Sequence, residues 1–206
     1  SAIQEVSKVL KVRGRVLPAT LEHVALGARM KDGMLIYGET SIRNYGGEIE
    51  SLFLVPEKCL PVPDALEAIM EADIIVLGPG SLYSSIIPNL LVEGIGFALA
   101  RSKARKVYVS NIMTEHGETD SFTAADHLRV IMRYLPESVV EYVIVNNGVI
   151  DEGILKRYRG EQAVPVLSNR PVIEAMGIKL IEADLVSDSD LAWHDSEKLA
   201  RVIMNL

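Results

Sequence analysis

Residues 74–85, with the sequence IIVLGPGSLYSS, decide the fold class of this chain. A short, continuously apolar run that ends at a glycine-rich turn is typical of a strand covered on both faces. Similar apolar runs follow at 107–109 and 142–145, with segments of helical spacing between them. Strands and helices that alternate in this way predict a parallel sheet with helices on both faces. We therefore expect an α/β fold.

The composition limits the class of protein. The chain has 206 residues, 49% hydrophobic and 24% charged, which favours one compact domain and excludes a disordered or collagen-like chain. Its 21 basic and 28 acidic residues give a net charge of −7, which argues against nucleic-acid binding because that function needs a concentrated basic face. The single Cys59 excludes an internal disulfide and a Cys-cluster metal site, as is typical of a cytoplasmic protein. The most apolar stretch, 86–100, contains Pro88 and Glu93 and is shorter than the roughly 20 residues of a membrane span, so no span is expected.

The first part of the chain has the pattern of a β-rich insertion over 12–56. The predicted strands are 12–17, 24–30, 34–37 and 48–55, after an amphipathic helix over 1–10. Lys31-Asp32-Gly33 predicts a hairpin turn, and 44–47 predicts a second turn.

The remainder, 64–206, is predicted to form an alternating β/α core within a single domain that covers 1–206. Helices are predicted at 64–71, 84–100 and 151–158, and short strands at 164–167 and 178–181. Thr123 and Asp126 have the spacing of a capping box, while Asp151 and Asp195 are predicted to cap the helices that follow them.

Ligands of open parallel sheets bind at the carboxyl ends of the strands, which directs attention to the loops 78–85, 110–122 and 146–150. In the first loop, the backbone of Gly78, Pro79, Gly80 and Ser81 could approach a ligand closely, and its N–H groups and the serine hydroxyl could meet an anion. The alternative is a tight strand-to-helix turn without a ligand. The spacing matches neither a P-loop nor G-x-G-x-x-G, so it does not decide between the two.

The second loop is unusually polar. Asn111, Thr114, Thr119 and Asp120 offer amide, hydroxyl and carboxylate groups that suit a ribose, a sugar or a base edge. The alternative, which the residues alone favour, is helix capping and a solvated loop. Tyr158 could stack on a base or sugar, although packing is the commoner role of tyrosine.

The histidines do not suggest a catalytic or metal site. The four of them have no metal-ligand spacing, and the chain has no G-x-S-x-G elbow of a hydrolase. His127 is predicted to lie on the exposed surface of its helix. No residue is therefore assigned to a metal or to catalysis.

Longer motifs are more specific than these spacings. They are ADIIVLGPGSLYSSIIPNLL at 72–91, NIMT at 111–114, GETD at 117–120, ADH at 125–127, KVRGRVLPA at 11–19, and Gly38-Glu39. Together they strongly resemble the YvcK-type gluconeogenesis factors (UPF0052), within the CofD-like, or 2-phospho-L-lactate transferase-like, family. The resemblance extends over nearly the whole chain.

The resemblance implies a Rossmann-like three-layer α/β/α sandwich with a mainly parallel sheet and a β-rich hairpin insertion. Members of the family open with a Gly-rich βα unit. This sequence begins at Ser1 without it, so the chain is expected to be an N-terminally truncated CofD-like domain. Trp193 stands where members often carry an arginine, which puts an anion contact at that position in question.

The resemblance also implies a function. YvcK-like members are cytoplasmic, are linked to cell shape and cell-wall growth on gluconeogenic carbon sources, and bind UDP-sugars such as UDP-N-acetylglucosamine. In this interpretation the chain is a nucleotide-sugar-binding regulator and not an enzyme. The alternative is a transferase that moves a phospholactyl group from a guanosine diphosphate-linked donor and needs Mg²⁺. A third possibility is that the chain alone binds nothing.

The expected partner is thus a small molecule linked to a nucleoside diphosphate, and a homodimer through the β-rich insertion is conceivable. By resemblance, Gly78, Gly80 and Ser81 would approach the diphosphate, and Asn89, Asn111, Thr114 and Tyr158 would contact the ribose, base or sugar. Pro79, Tyr83, Thr119 and Asp120 complete the candidate set.

Overall fold

The computed structural model describes residues 14–136 and 139–206 and confirms an α/β fold. The strands are β1 (Ala25–Met30), β2 (Leu35–Tyr37), β3 (Ile49–Val55), β4 (Ile74–Leu77), β5 (Arg105–Val109), β6 (Tyr142–Asn146) and β7 (Lys179–Ala183). The helices are α1 (Glu39–Tyr45), α2 (Pro63–Glu71), α3 (Ile87–Leu90), α4 (Ile95–Arg101), α5 (Ala124–Arg133), α6 (Glu152–Gly160), α7 (Arg170–Ala175) and α8 (Ser196–Met204), and a π-helical turn at Leu82–Ile86 precedes α3. The helix predicted over 1–10 lies outside the described residues.

Strands β1 to β3 form an antiparallel sheet in the order β2-β1-β3. The hairpin between β1 and β2 turns at Gly33, whose φ of +89° is the left-handed conformation that glycine adopts without strain. Gly27 of β1 pairs with Tyr37 on one side and with Phe53 on the other. A Cβ atom at Gly27 would lie 2.4 Å from the Phe53 ring, so the pairing leaves room only for glycine. The predicted hairpin is confirmed.

Three predictions about short segments are wrong. The strand predicted at 12–17 is absent from its described part, 14–17. Helix α1 was not predicted because only Ile42 in it is buried and no side chain caps its start. The turn predicted at 44–47 overlaps the end of this helix, so that only Gly46 and Gly47 lie beyond it. The strand predicted at 164–167 is a single bridge between Pro165 and Met113, since proline has no N–H to extend a ladder.

Strands β4 to β7 form a parallel sheet in the order β4-β5-β6-β7. Val107, Tyr108 and Val109 of β5 are completely buried, as expected for a strand covered on both faces. Strand β4 differs from its prediction: it lies at the edge of the described sheet, and Val76 is 39% exposed. A continuous apolar run therefore identified a strand of this sheet but not its place within it.

The single helix predicted over 84–100 is divided. The π-helical turn and α3 come first. Gly94, whose φ of +84° is left-handed, then separates α3 from α4. Pro88 lies in the first turn of α3, a position that proline favours. The segment predicted as one helix thus holds α3, which ends at Leu90, and α4, which begins at Ile95 after Gly94.

The predicted N-caps are confirmed. The Thr123 hydroxyl accepts from the Asp126 N–H, and the Asp126 carboxylate accepts from the Thr123 N–H at 2.9 Å. Asp151 accepts from the Gly153 N–H at 2.8 Å, and Asp195 accepts from the Lys198 N–H at 2.8 Å. These side chains determine where α5, α6 and α8 begin.

The antiparallel sheet and the parallel sheet contribute to one hydrophobic core. Leu52 and Leu54 of β3 belong to the same buried cluster as Leu82 and Leu128. The N–H of Leu52 also donates to the Tyr134 hydroxyl at 2.7 Å. This packing holds the insertion, and α1 with it, against the side of the fold where the β4 and β5 loops emerge.

Across residues 14–136 and 139–206, no individual helix combines the length and the apolarity needed to cross a membrane. The pair Leu82–Leu90 and Ile95–Arg101 meets that condition jointly, by length and composition alone, with a bend of 76° between its members.

Candidate functional site

A cavity of about 430 Å³ lies among the loops that follow β4 and β5 and the end of α6. We call it the Ser81–Tyr158 cavity. Its lining residues are Arg43, Ser81, Thr114, Glu115, His116, Tyr158, Glu161 and Ala163. The structure therefore brings together Ser81, Thr114 and Tyr158 of the predicted set, at the carboxyl ends of the strands as the topology rule requires.

The glycine-rich loop is shaped by its first glycine. Gly78 has a φ of +81°, and a Cβ atom there would lie 2.8 Å from the carbonyl oxygen of Val109. Gly80 is different, because a Cβ atom would meet nothing closer than Ser85 at 3.5 Å. The Gly80 N–H donates to Asn111 Oδ1 at 3.0 Å, so this N–H is engaged within the protein.

Ser81 is the residue of this loop that lines the cavity. It precedes the π-helical turn, and no side chain caps that turn. The Ser81 carbonyl accepts from the N–H groups of Ser85 and Ile86, and Ser81 lines the cavity. π-Helical turns are often found at functional sites, and an uncapped helix start attracts anions.

Asn111 connects the two loops. Its Oδ1 accepts from Gly80, and its Nδ2 donates to Glu115 Oε1 at 3.1 Å. The amide thus orients the glycine-rich loop and a cavity carboxylate at the same time, and both of its polar atoms are used.

Other residues of the polar loop hold its shape. The Thr114 hydroxyl accepts from the Val164 N–H at 3.0 Å, and the Thr119 hydroxyl accepts from the Glu115 N–H at 2.9 Å. Asp120 accepts from the Gly117 N–H at 2.7 Å and contacts His116 Nδ1 at 2.8 Å. The observed contacts of Thr119 and Asp120 lie within the loop itself, so they are explained by the alternative of a solvated polar loop without a ligand.

Eight of the eleven predicted residues do not line the cavity: Gly78, Pro79, Gly80, Tyr83, Asn89, Asn111, Thr119 and Asp120. Pro79 is exposed in the loop, and Asn89 is exposed and donates to the Ser85 carbonyl within its own helix. Tyr83 is 5% exposed and, with Asp120, lines a separate cavity of about 390 Å³. Burial raises the pKa of Tyr83 to about 12. Trp193, whose place in the family raised a question, is 63% exposed and is not among the cavity residues.

Sequence reasoning missed the charged side chains of the cavity. Arg43 comes from α1, a helix that was not predicted, so no sequence pattern placed it there. Glu115 and His116 lie between the NIMT and GETD motifs. Their position inside this polar loop was a signal from which they could have been included among the candidate site residues. Glu161 follows the last residue of α6.

A second carboxylate near Arg43, that of Glu118, lines the separate cavity of about 390 Å³. The Glu118 side chain is 3% exposed, and its Oε1 accepts from Arg43 Nε at 3.3 Å. The pKa of Glu118 is raised, first by burial and then by the negative charge of Glu115, and Arg43 only partly opposes this. Lys31, Arg129 and Arg133 line the same separate cavity as Glu118.

His127 is completely buried, which contradicts the prediction of an exposed position. Its Nδ1 contacts the Thr123 carbonyl at 2.9 Å, and its ring packs against Tyr108 and Phe122. Because α5 begins after Thr123, the face that carries His127 is turned toward the core. The neighbouring charged Asp126 made an exposed position the natural prediction from sequence. Burial lowers the pKa of His127 and raises that of Tyr108.

Known proteins resemble this chain in both sequence and structure. A family model described as "2-phospho-L-lactate transferase CofD" matches residues 1–186. The chain belongs to the CofD family. A protein named "Gluconeogenesis factor" from Bacillus subtilis is 42% identical over 206 residues, and one of the same name from Halalkalibacterium halodurans is 42% identical over 203 residues.

A solved structure gives the same result for the fold of this CofD-family chain. A crystal structure of a UPF0052 family member from Bacillus halodurans superposes with a TM-score of 0.93 at 42% identity, covering 98% of this chain and 65% of that one. The resemblance to gluconeogenesis factors is thereby confirmed. The chain spans 65% and 63% of the length of the two relatives named above.

Metal-ligand groups do not gather in the part of the chain that the structure describes. No three His, Cys, Asp or Glu side chains converge there in a way that could hold a metal ion. We therefore assign no residue of these ranges to Mg²⁺.

Proposed function

We propose that this CofD-family chain binds a nucleotide sugar in the Ser81–Tyr158 cavity and acts as a cytoplasmic regulator under gluconeogenic conditions. The observation that carries the proposal is the meeting of Ser81, Thr114 and Tyr158, from three separate segments, around one cavity at the carboxyl ends of the sheet. The names of the relatives, which are gluconeogenesis factors, support the gluconeogenic role.

The chemistry of the cavity suits such a ligand. Ser81 supplies a hydroxyl beside an uncapped helical turn for a phosphate, and Arg43 supplies a positive charge. Tyr158 supplies an aromatic face for a base or sugar ring. Glu115 supplies a carboxylate, which accepts hydrogen bonds from sugar hydroxyls. A UDP-sugar such as UDP-N-acetylglucosamine combines all these partners, and we extend the role to cell-wall growth and cell shape.

A second candidate function rests on the family description. The matching family is described as a phospholactate transferase, which would use a nucleoside diphosphate-linked donor in the same cavity. Titration calorimetry of the full-length protein with UDP-N-acetylglucosamine and, separately, with GDP distinguishes the two. Binding of the UDP-sugar with no heat from GDP supports the regulator, and the reverse result supports the transferase.

Replacing Tyr158 with alanine is expected to weaken UDP-N-acetylglucosamine binding about tenfold or more, since one stacked aromatic ring contributes roughly 1–3 kcal/mol. Tyr158→Phe keeps the ring and should retain most of the affinity. Tyr142→Ala, at the opposite, amino end of β6, is the control for loss of a tyrosine elsewhere in the sheet. Calorimetry measures the affinity and thermal unfolding checks the fold. Wild-type affinity in Tyr158→Ala would remove this residue from the site.

A further inference from the structure

The separate cavity of about 390 Å³ takes its walls from β3, the π-helical turn, the polar loop and α5. We call it the Tyr83–Arg133 cavity. Its volume falls within the range of about 300–1,000 Å³ that is typical of pockets for small molecules. Ile49, Phe122 and Val130 give it an apolar wall, and the other side chains that line it are polar or charged. The cavity therefore has the size and the mixed lining of a small-molecule site.

Two polar contacts join the linings of the two cavities. Arg43, which lines the Ser81–Tyr158 cavity, donates through Nε to Glu118 Oε1 at 3.3 Å. His116 of the same cavity contacts Asp120 through Nδ1 at 2.8 Å. Glu118 and Asp120 line only the Tyr83–Arg133 cavity, and the two linings have no residue in common. The Tyr83–Arg133 cavity can therefore hold a ligand of its own.

Tyr83 has an unused hydroxyl group in this cavity. The residue is 5% exposed, and its hydroxyl has no hydrogen bond to a described residue. The hydroxyl is not sealed from solvent either, so it opens into the cavity that the residue lines. Burial is the main reason that the pKa of Tyr83 is raised to about 12, and the group therefore keeps its proton and can both donate and accept. A nearly buried polar group without a partner calls for one, and a ligand hydroxyl group would supply it.

Glu118 also has an oxygen without a partner. Its side chain is 3% exposed, and while Oε1 accepts from Arg43, Oε2 is buried with no hydrogen bond to a described residue. The terminal torsion of a glutamate is broad, so a rotation of the carboxylate can bring this oxygen to a donor that enters the cavity. Ligand hydroxyl groups are donors to Glu118 and acceptors for Tyr83 at the same time. The two side chains together favour a hydroxylated ligand.

The charges of the cavity favour an anionic group on that ligand. The four acids that line it each have a basic partner, and the pairs are Glu48 with Lys31, Asp126 with Arg129, Glu118 with Arg43, and Asp120 with His116. Among the three bases that line it, Arg133 alone forms no ion pair with a residue that the structure describes. An ammonium group would thus meet only carboxylates that already have partners. An anion would meet the guanidinium of Arg133, a group that suits phosphate and carboxylate.

We propose that the Tyr83–Arg133 cavity binds a small hydroxylated anion, such as a sugar phosphate or a hydroxy acid. Tyr83 and Glu118 hold its hydroxyl groups, and Arg133 holds its phosphate or carboxylate. This site is separate from the Ser81–Tyr158 cavity and does not depend on the function proposed for that cavity. Failure of one proposal therefore leaves the other standing.

The test is titration calorimetry of the full-length protein with glucose 6-phosphate, glycerate and serine, each at up to about 10 mM. Glucose 6-phosphate represents the sugar phosphates and glycerate the hydroxy acids, and binding of either supports the proposal and tells the two sources apart. Serine differs from glycerate by an ammonium group in place of one hydroxyl, so it should bind more weakly than glycerate. Tighter binding of serine than of glycerate, or no heat from both anions, overturns the proposal.

Variants locate the bound anion. Arg133→Ala should weaken its binding about tenfold or more, and Tyr83→Phe, which keeps the packed ring and removes only the hydroxyl, about two- to tenfold. Arg201→Ala in α8 and Tyr37→Phe in β2 change exposed residues outside both cavities and should bind as the wild type does. Thermal unfolding checks that each variant folds. Wild-type affinity in both Arg133→Ala and Tyr83→Phe overturns the proposal, and a loss of affinity in Tyr158→Ala alone would place the anion in the other cavity.

Discussion

Gly78→Ala should lower the free energy of unfolding by roughly 2–3 kcal/mol, since a left-handed conformation forced on a residue with a side chain costs about 1–3 kcal/mol. Gly78 has a φ of +81°, and the added Cβ atom would lie 2.8 Å from the Val109 carbonyl oxygen. That oxygen belongs to the backbone of a completely buried strand residue and does not move aside easily. A fall in Tm of roughly 5–10 °C is expected for a chain of this size.

Gly80→Ala is the matched control in the same loop. A Cβ atom at Gly80 meets only Ser85, at 3.5 Å, and Gly80 does not have a positive φ. This variant should unfold within about 1 kcal/mol of the wild type, because the smaller entropy of its unfolded chain offsets minor repacking. Thermal and denaturant unfolding of both variants measure the difference. Equal stability of the two variants would mean that the backbone at Gly78 adapts to a side chain.

These glycines illustrate what the sequence could and could not predict. The sequence GPGS after an apolar run predicted a turn at the end of a strand, and the structure has that turn. The sequence did not distinguish the conformational role of Gly78 from that of Gly80, because both are simply glycines until the position of Val109 is known. Long-range proximity, not local pattern, separates them.

Local signals predicted the fold well where one residue type has one physical role. Asp151 and Asp195 cap helices as predicted, because an aspartate just before a segment of helical apolar spacing typically accepts from the first N–H groups of that helix. Position within the sheet was harder. Val76 lies in a run as apolar as any in the chain, yet it is 39% exposed, since no local feature tells an edge strand from a central one.

The cavity was partly predictable for the same reasons. Ser81 and Thr114 each follow an apolar strand, so the topology rule placed both at one edge of the sheet. Arg43 lies on α1, which belongs to the same insertion as the antiparallel sheet. Leu52 and Leu54 of that sheet pack into the shared core, and no local sequence pattern predicts this long-range packing. The prediction of an exposed His127 was wrong because its ring packs between Tyr108 and Phe122, which are brought together only in the folded chain.

Asn111→Ala is expected to destabilise the protein by roughly 2–4 kcal/mol, because it leaves two partly buried groups without partners at about 1–3 kcal/mol each. The groups are the Gly80 N–H, which loses its acceptor, and Glu115 Oε1, which loses its donor. The glycine-rich loop would lose its link to the β5 loop, so ligand binding in the Ser81–Tyr158 cavity should weaken together with stability. Denaturant unfolding and calorimetry with UDP-N-acetylglucosamine measure the two effects.

Asn111→Asp separates the two contacts. An aspartate oxygen can still accept from the Gly80 N–H, but an ionised aspartate cannot donate to Glu115, and its charge adds to that of Glu115. The variant should therefore be near the wild type in stability at about pH 3, below the ordinary pKa of Asp and Glu, and should lose stability progressively as the pH rises to about 7. Asn111→Ala should show no such additional pH dependence. A pH-independent deficit in Asn111→Asp would mean that Glu115 is not affected by a new charge at this position, and that the loop contact to Gly80 alone accounts for the role of the asparagine.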